Sequence, residues 1–289
     1  MIDFFHPHVG RNKHRHYILT LFFIIFILFV GSFGFVLLDD LLKGAAKNSS
    51  YQAIAELISI GIYSLLTILT LFIAANWIHK RPFRTFITAA PKFRWKLTFL
   101  GAGLVSASII FTFSIAMLFT PENFIFNPVS IRVFLSFFFI AILTIPIFAF
   151  VEDIFFRGFL LQWVGKFFKR PLFTIIITGI IFGSAHFANP EMDMNPVVVG
   201  LGYLLFGMLY GYTVQITNGI EFVFGVHTAN NLLLAFFFSY EENGMGTDLS
   251  VWTMEYSNAT FLITLFGMNL LWYVALLVIA KKRGSALFE

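Results

Sequence analysis

SFFFIAILTIPIFAFVEDIFFRGFLL, residues 136–161, decides the fold. An apolar run of this length, interrupted early only by Pro146, crosses a hydrocarbon core about 30 Å thick as a helix. Into its second half fall Glu152, Asp153 and Arg157. An ionisable group at membrane depth costs at least about 2.5 kcal/mol on insertion scales, so these three belong to a protein interior and not to a lipid-facing surface. The segment predicts a transmembrane helix inside a bundle, with a polar site on its charged side.

Outward from it the apolar signal recurs. Runs near 17–38, 54–78, 97–119, 131–156, 172–189, 197–216, 221–239 and 260–280 predict an all-α, polytopic transmembrane helix bundle of about eight spans. The hydrophobic fraction of 58%, the 41 phenylalanines and the mean hydropathy of +0.85 exclude a soluble globular class. The absence of cysteine excludes thiol catalysis, thiolate metal sites and disulfides. The net charge of +4 sits in short loops, where it sets membrane orientation and does not point to nucleic acid.

Those loops alternate in sign. Arg11, Lys13 and Arg15 precede the first run, six cations lie between Lys80 and Lys96, Lys166, Lys169 and Arg170 follow the fourth run, and Lys281, Lys282 and Arg283 follow the last. The other loops carry Asp39, Asp40, Glu122, Glu191, Asp193, Glu241, Glu242, Asp248 and Glu255 against Lys43, Lys47 and Arg132. The positive-inside rule then places both termini in the cytoplasm. The first run is longer than the about 7–15-residue core of a secretory signal and reads as an uncleaved helix. With no internal repeat or long linker, residues 1–289 form a single integral membrane domain. The loop at about 240–259, with Trp252 and Tyr256, reads as an interfacial segment with aromatic anchors. His6, His8, His14 and His16 read as a solvated tail, and His79 falls in a loop on the same side.

Only two histidines lie at membrane depth, His186 in FGSAH and His227 in HTANN. Asp153 and Arg157 are four apart on one helical face and form the economical ion pair, while Glu152, rotated by about 100°, is left to act as a general base. The alternative is a buried ion-pair knot that locks helices together. Phe182 lies one turn before His186. His227 and Asn231 share one stripe and can cradle an oxyanion, or with Thr228, Asn230 and Gly225 can form a close-packing stripe. Asn230 is the less favoured amide. Glu56 and Glu221, near span ends, read as structural. Pro146 removes a backbone hydrogen bond six residues before Glu152 and can kink the helix beside the site.

In this order the three patterns resemble the signature of the CPBP family of intramembrane proteases, also called Abi, which includes the CAAX prenyl endopeptidases. Glu152-Asp153-x-x-x-Arg157 is similar to its E-E-x-x-x-R, Phe182-x-x-x-His186 to its F-x-x-x-H, and His227-x-x-x-Asn231 to its H-x-x-x-N. The resemblance covers about 131–239 and departs at Asp153, which stands for the family's second glutamate. It implies hydrolysis of a peptide bond in a membrane-embedded or lipidated protein or peptide, within the bilayer, in a prokaryotic plasma membrane. Glu152 helped by His186 would activate water, and His227 with Asn231 would stabilise the oxyanion; Asp153, Arg157 and Phe182 would support them. Glu152, His186 and His227 would also be the ligands if a zinc site existed. No H-E-x-x-H helix is present, and the favoured expectation is that no cofactor is required. Two other classes share these residues: a noncatalytic scaffold or bacteriocin-immunity protein of the same fold, and a proton-coupled transporter.

Overall fold

A computed structural model describes residues 4–46, 48–240, 249–255 and 257–283. Its eight long helical segments follow the eight apolar runs. They are α1 (His14–Ala45), α2 (Ser49–Trp77), α3 (Trp95–Phe119), α4 (Ile131–Glu152), α6 (Pro171–Ala185), α7 (Pro196–Thr217), α8 (Glu221–Phe236) and α9 (Asn258–Arg283). The short α5 (Leu161–Val164) completes the fourth rod. Five of these segments are long and apolar enough to cross a membrane by length and composition. The chain is an all-α, polytopic integral membrane bundle.

Local chemistry sets several helix starts. Asn48, Ser130 and Asn195 accept from the backbone N–H groups of Tyr51, Val133 and Val198, which gives α2, α4 and α7 their N-caps. Pro171 and Pro196 occupy first-turn positions, where the missing N–H costs nothing. Asn218 closes α7 in the left-handed region at φ 55°. On the outside of α1, Phe22, Phe26, Phe29 and Phe33 are exposed, as lipid-facing side chains would be.

Two boundaries differ from the apolar runs. The fourth rod does not end near 156 but continues through a π-helical stretch, Asp153–Leu160, into α5. The fifth helix stops at Ala185, so His186 is its C-terminal cap and not a residue well inside a span. Pro190 explains part of that stop, because a following proline pushes Asn189 into extended backbone, here φ −71°, ψ 147°.

The interior is built by pairs of helices: α3 packs on α8, α6 on α7, and α2 on both α1 and α4. Close approach depends on glycine at the α3–α8 crossing. A Cβ on Gly101 would run into the carbonyl oxygen of Phe222, and one on Gly225 into that of Thr98. The expected interfacial loop after α8 is partly a small sheet. Strands β1 (Phe124–Phe126), β2 (Phe238–Tyr240) and β3 (Trp252–Met254) are ordered β1-β3-β2, with β1 antiparallel and β2 parallel to β3. Trp252 packs on Phe126 across it, while Tyr256 and residues 241–248 lie outside the described residues.

The end of the bundle that carries the basic loops is closed by packing. The amino-terminal segment is not a solvated tail: Phe4 and Phe5 are buried, and the Phe4 N–H donates to Asn218 Oδ1 at 2.9 Å. His6 Nε2 meets the Gly165 carbonyl at 3.0 Å, His16 is buried, and His14 packs on Phe167; only His8 and His14 remain exposed. His79 is fully buried against Thr20 Oγ1 and the Arg11 carbonyl. Burial, followed by the nearby Arg81 guanidinium, pushes its imidazole down to about 3, so it is neutral. Arg81 donates to Gln162 Oε1 at 2.8 Å, and Gln162 in turn donates to the Thr85 carbonyl at 2.7 Å. Arg94 forks onto Glu221 at 2.8 and 2.7 Å, which identifies Glu221 as a structural partner.

Candidate active site

Four elements bring the polar patterns together. Glu152 ends α4, Asp153 and Arg157 lie on the π-helical stretch, His186 caps α6, and His227 and Asn231 sit one turn apart on α8. Although consecutive, Glu152 and Asp153 both reach the His227 ring, Glu152 Oε2 at 3.7 Å from Nε2 and Asp153 Oδ1 at 3.3 Å from Nδ1.

Asp153 is at the centre of the buried layer. Its Oδ1 accepts from Arg157 Nη1 at 3.2 Å and lies 3.3 Å from His227 Nδ1. The pair with Arg157 matches the expectation from spacing; the contact with His227 does not follow from sequence. Asp153 and Arg157 are 0% and 2% exposed. The guanidinium is also sandwiched by aromatic faces, 3.8 Å from the Phe182 centroid and 5.1 Å from that of Tyr210.

Above this layer Glu152 Oε2 faces both imidazoles, 3.8 Å from His186 Nε2 and 3.7 Å from His227 Nε2. The far nitrogens determine which tautomers these rings adopt. His186 Nδ1 donates to the Phe182 carbonyl at 2.8 Å, and His227 Nδ1 donates to Asp153. In the neutral rings both Nε2 atoms therefore present lone pairs toward a carboxylate. Glu152 thus faces both ring nitrogens without a direct hydrogen bond to either.

Zinc shares this donor set but not this spacing. Ligands about 2.0–2.2 Å from a tetrahedral ion stand about 3.3 Å apart, closer than the 3.7 and 3.8 Å found here. Among the described residues no group of three His, Asp or Glu is placed to hold a metal ion. As placed, Glu152 stands further from the two imidazoles than zinc ligands stand from one another.

The cluster lines a cavity of about 760 Å3. Asn230 and Asn231 both border it, and Asn230 Nδ2 donates to Asn231 Oδ1 at 3.2 Å, which leaves the Asn231 amide nitrogen as a donor. Tyr203 and Tyr210, which sequence reasoning did not single out, also line it. Tyr203 stacks on His186 with centroids 4.7 Å apart and accepts from Asn189 at 3.1 Å, while Tyr210 lies beside His227. Their signal in sequence was the spacing Tyr203, Phe206, Tyr210, one face of α7. Glu56 pairs with Lys43 at 3.1 Å and also borders the cavity mouth, a position that its reading as structural did not include.

A bundle of lipid-facing helices around a carboxylate, two imidazoles and an amide is an integral membrane protein with a buried polar centre. A family model described as type II CAAX prenyl endopeptidase Rce1-like matches residues 133–233, the span that supplies every one of these side chains. A Bacillus subtilis (strain 168) protein named uncharacterized protein YyaK is 35% identical over 216 residues, 72% of this chain and 72% of that protein. No solved structure matches. The chain belongs to the type II CAAX prenyl endopeptidase Rce1-like family, and is a membrane protein of the CAAX protease type.

Proposed function

We propose that this protein is an intramembrane endopeptidase, in the plasma membrane of a prokaryote, that hydrolyses a peptide bond of a membrane-associated protein or peptide. The convergence of Glu152 with the two Nε2 atoms carries this reading, because a carboxylate facing two imidazoles and bonded directly to neither is what activation of water needs. Glu152 takes a proton from the water as its oxygen bonds to the substrate carbonyl carbon. His186, turned toward Glu152 by its bond to the Phe182 carbonyl, helps hold and share that proton. The carbonyl π electrons move to oxygen, and the resulting oxyanion is met by the Asn231 amide and by His227, which takes a second ring proton on Nε2 from solvent before the substrate binds while its Nδ1–H stays on Asp153. The oxyanion then re-forms the carbonyl as the C–N bond breaks, the proton passes from Glu152 to the leaving nitrogen, and the carboxylic acid formed gives up its proton to solvent. No metal is required in this scheme.

Cleavage of a membrane-tethered peptide by the purified protein in proteoliposomes tests it. Glu152→Gln keeps the shape and removes the base; cleavage is expected to be lost while thermal unfolding is unchanged within a few degrees. Asn231→Ala should lower kcat about 10²- to 10³-fold, the cost of deleting one oxyanion donor. Full activity of Glu152→Gln would leave a scaffold or a transporter as the better reading. One stoichiometric zinc, lost together with activity on chelation, would overturn the metal-free route.

A further inference from the structure

We infer that Tyr210 is a catalytic residue of this site: its phenol O–H donates to the oxygen of the scissile carbonyl, as a third donor beside Asn231 and His227. This role deepens the hydrolytic reading and rests on it.

The ring of Tyr210 is 3% exposed. A phenol so deeply buried ordinarily hydrogen-bonds to a neighbouring group, because a stranded polar atom forfeits its bonds to water and gains nothing in return. Among the described residues the Tyr210 hydroxyl meets no hydrogen-bond partner. It is reached from the cavity that Tyr210 lines, whereas Asp153 Oδ2 and Arg157 Nη2 in the buried layer are sealed off. A donor left open toward a pocket, in an interior closed elsewhere, is one whose partner arrives from outside the chain.

Tyr203 provides a comparison within the same helix. It lies seven residues earlier on the same face of α7 and lines the same cavity. Its hydroxyl is held by Asn189 at 3.1 Å and its ring covers His186, so both its parts are committed inside the protein. The ring of Tyr210 is held as firmly, with Phe206 and Trp272 at centroid distances of 6.0 and 6.3 Å and the Arg157 guanidinium 5.1 Å from its centroid. Only its hydroxyl is uncommitted. The donor is thus fixed in place before a substrate enters, which is the condition for stabilising developing charge without reorganisation.

Position selects the acceptor. The Tyr210 and His227 ring centroids are 5.8 Å apart, and Asn231 lies one turn beyond His227 on the same cavity wall. The charged groups around the hydroxyl are Asp153, Arg157 and Glu152. An oxyanion that forms near two carboxylates is opposed by both, so each donor that meets it counts. The phenol keeps its proton throughout; no bond at Tyr210 forms or breaks, and the protons of hydrolysis are carried by Glu152 and solvent.

Tyr210→Phe removes one oxygen and leaves the ring contacts. With the purified full-length protein in proteoliposomes and a membrane-tethered peptide, kcat should fall about 10²- to 10³-fold, the cost of one oxyanion donor. KM should change by less than about threefold, as for a bond made only in the transition state. Thermal unfolding should be unchanged or shifted upward, because the substitution deletes a stranded oxygen and no internal bond. A peptide with a phosphinate in place of the scissile amide presents a tetrahedral, anionic oxygen pair, and its affinity should fall along with kcat. Wild-type kcat, unchanged phosphinate affinity, or a markedly lower Tm, the mark of a hydroxyl bonded within the protein, overturns the assignment. Glu152→Gln separates the two possible failures. If it is inactive while Tyr210→Phe is fully active, the role of Tyr210 alone falls; if Glu152→Gln is active, the hydrolytic reading falls and takes the donor role with it.

Discussion

Asp153 is the residue on which the buried layer turns. It balances Arg157 and orients His227 with the same oxygen, and it is fully buried. The resembling family pattern has glutamate here, yet the shorter aspartate still reaches Arg157 Nη1 at 3.2 Å and His227 Nδ1 at 3.3 Å. Asp153→Asn keeps the volume and removes the charge, leaving a buried guanidinium uncompensated. A loss of about 3–5 kcal/mol follows from breaking one side of such a pair, and unfolding in detergent should show it as a markedly lower Tm. Spacing alone revealed the bond to Arg157, since i and i+4 share a face, but the bond to His227 joins residues on different helices and was not legible. His79 supplies a second prediction at this scale. Its folded-state pKa, held at about 3 by burial and Arg81, lies below the ordinary value of about 6.5. Between those values the unfolded chain binds the extra proton, so the contribution of His79 to stability is complete above pH 6.5 and declines as the pH falls toward 3. The wild-type Tm should therefore drop between pH 7 and pH 5, and His79→Gln should flatten part of that slope.

Among the elements, the fourth rod and the α3–α8 crossing matter most. The apolar run around 131–161 announced a spanning helix, and the polar triplet within it announced an interior face. The change from α to π at Asp153 was not readable, because that register is selected by what packs against the rod and not by its own propensities. One of those contacts is at Gly158, where a Cβ would collide with the Phe86 carbonyl oxygen. Gly225 plays the same part between α8 and α3, holding the helix that carries His227 and Asn231. Gly225→Ala should force the two backbones apart at about 1–3 kcal/mol. Because the shift moves His227 relative to Glu152, activity is expected to fall more than the Tm change alone would produce. Cleavage rates measured well below the Tm check this.

For the molecule as a whole, the end that carries the basic loops is closed by packing. The buried amino-terminal phenylalanines belong to the closed end: Phe5→Ala should cost about 3–5 kcal/mol, read as a lower Tm, with a smaller effect on kcat because Phe5 lines no part of the cavity. The sequence by itself determined the membrane class, the positions of the helices and the identity of nearly every polar group at depth. It could do so because the cost of placing a residue in lipid is local and roughly additive along the chain. Only the tertiary structure decided that Asp153 addresses both Arg157 and His227, that Glu152 faces two imidazole lone pairs, and that the amino-terminal segment folds into the core. Each of these depends on the angular phase of one helix against another and on contacts between residues far apart in sequence, which hydrophobic periodicity does not encode.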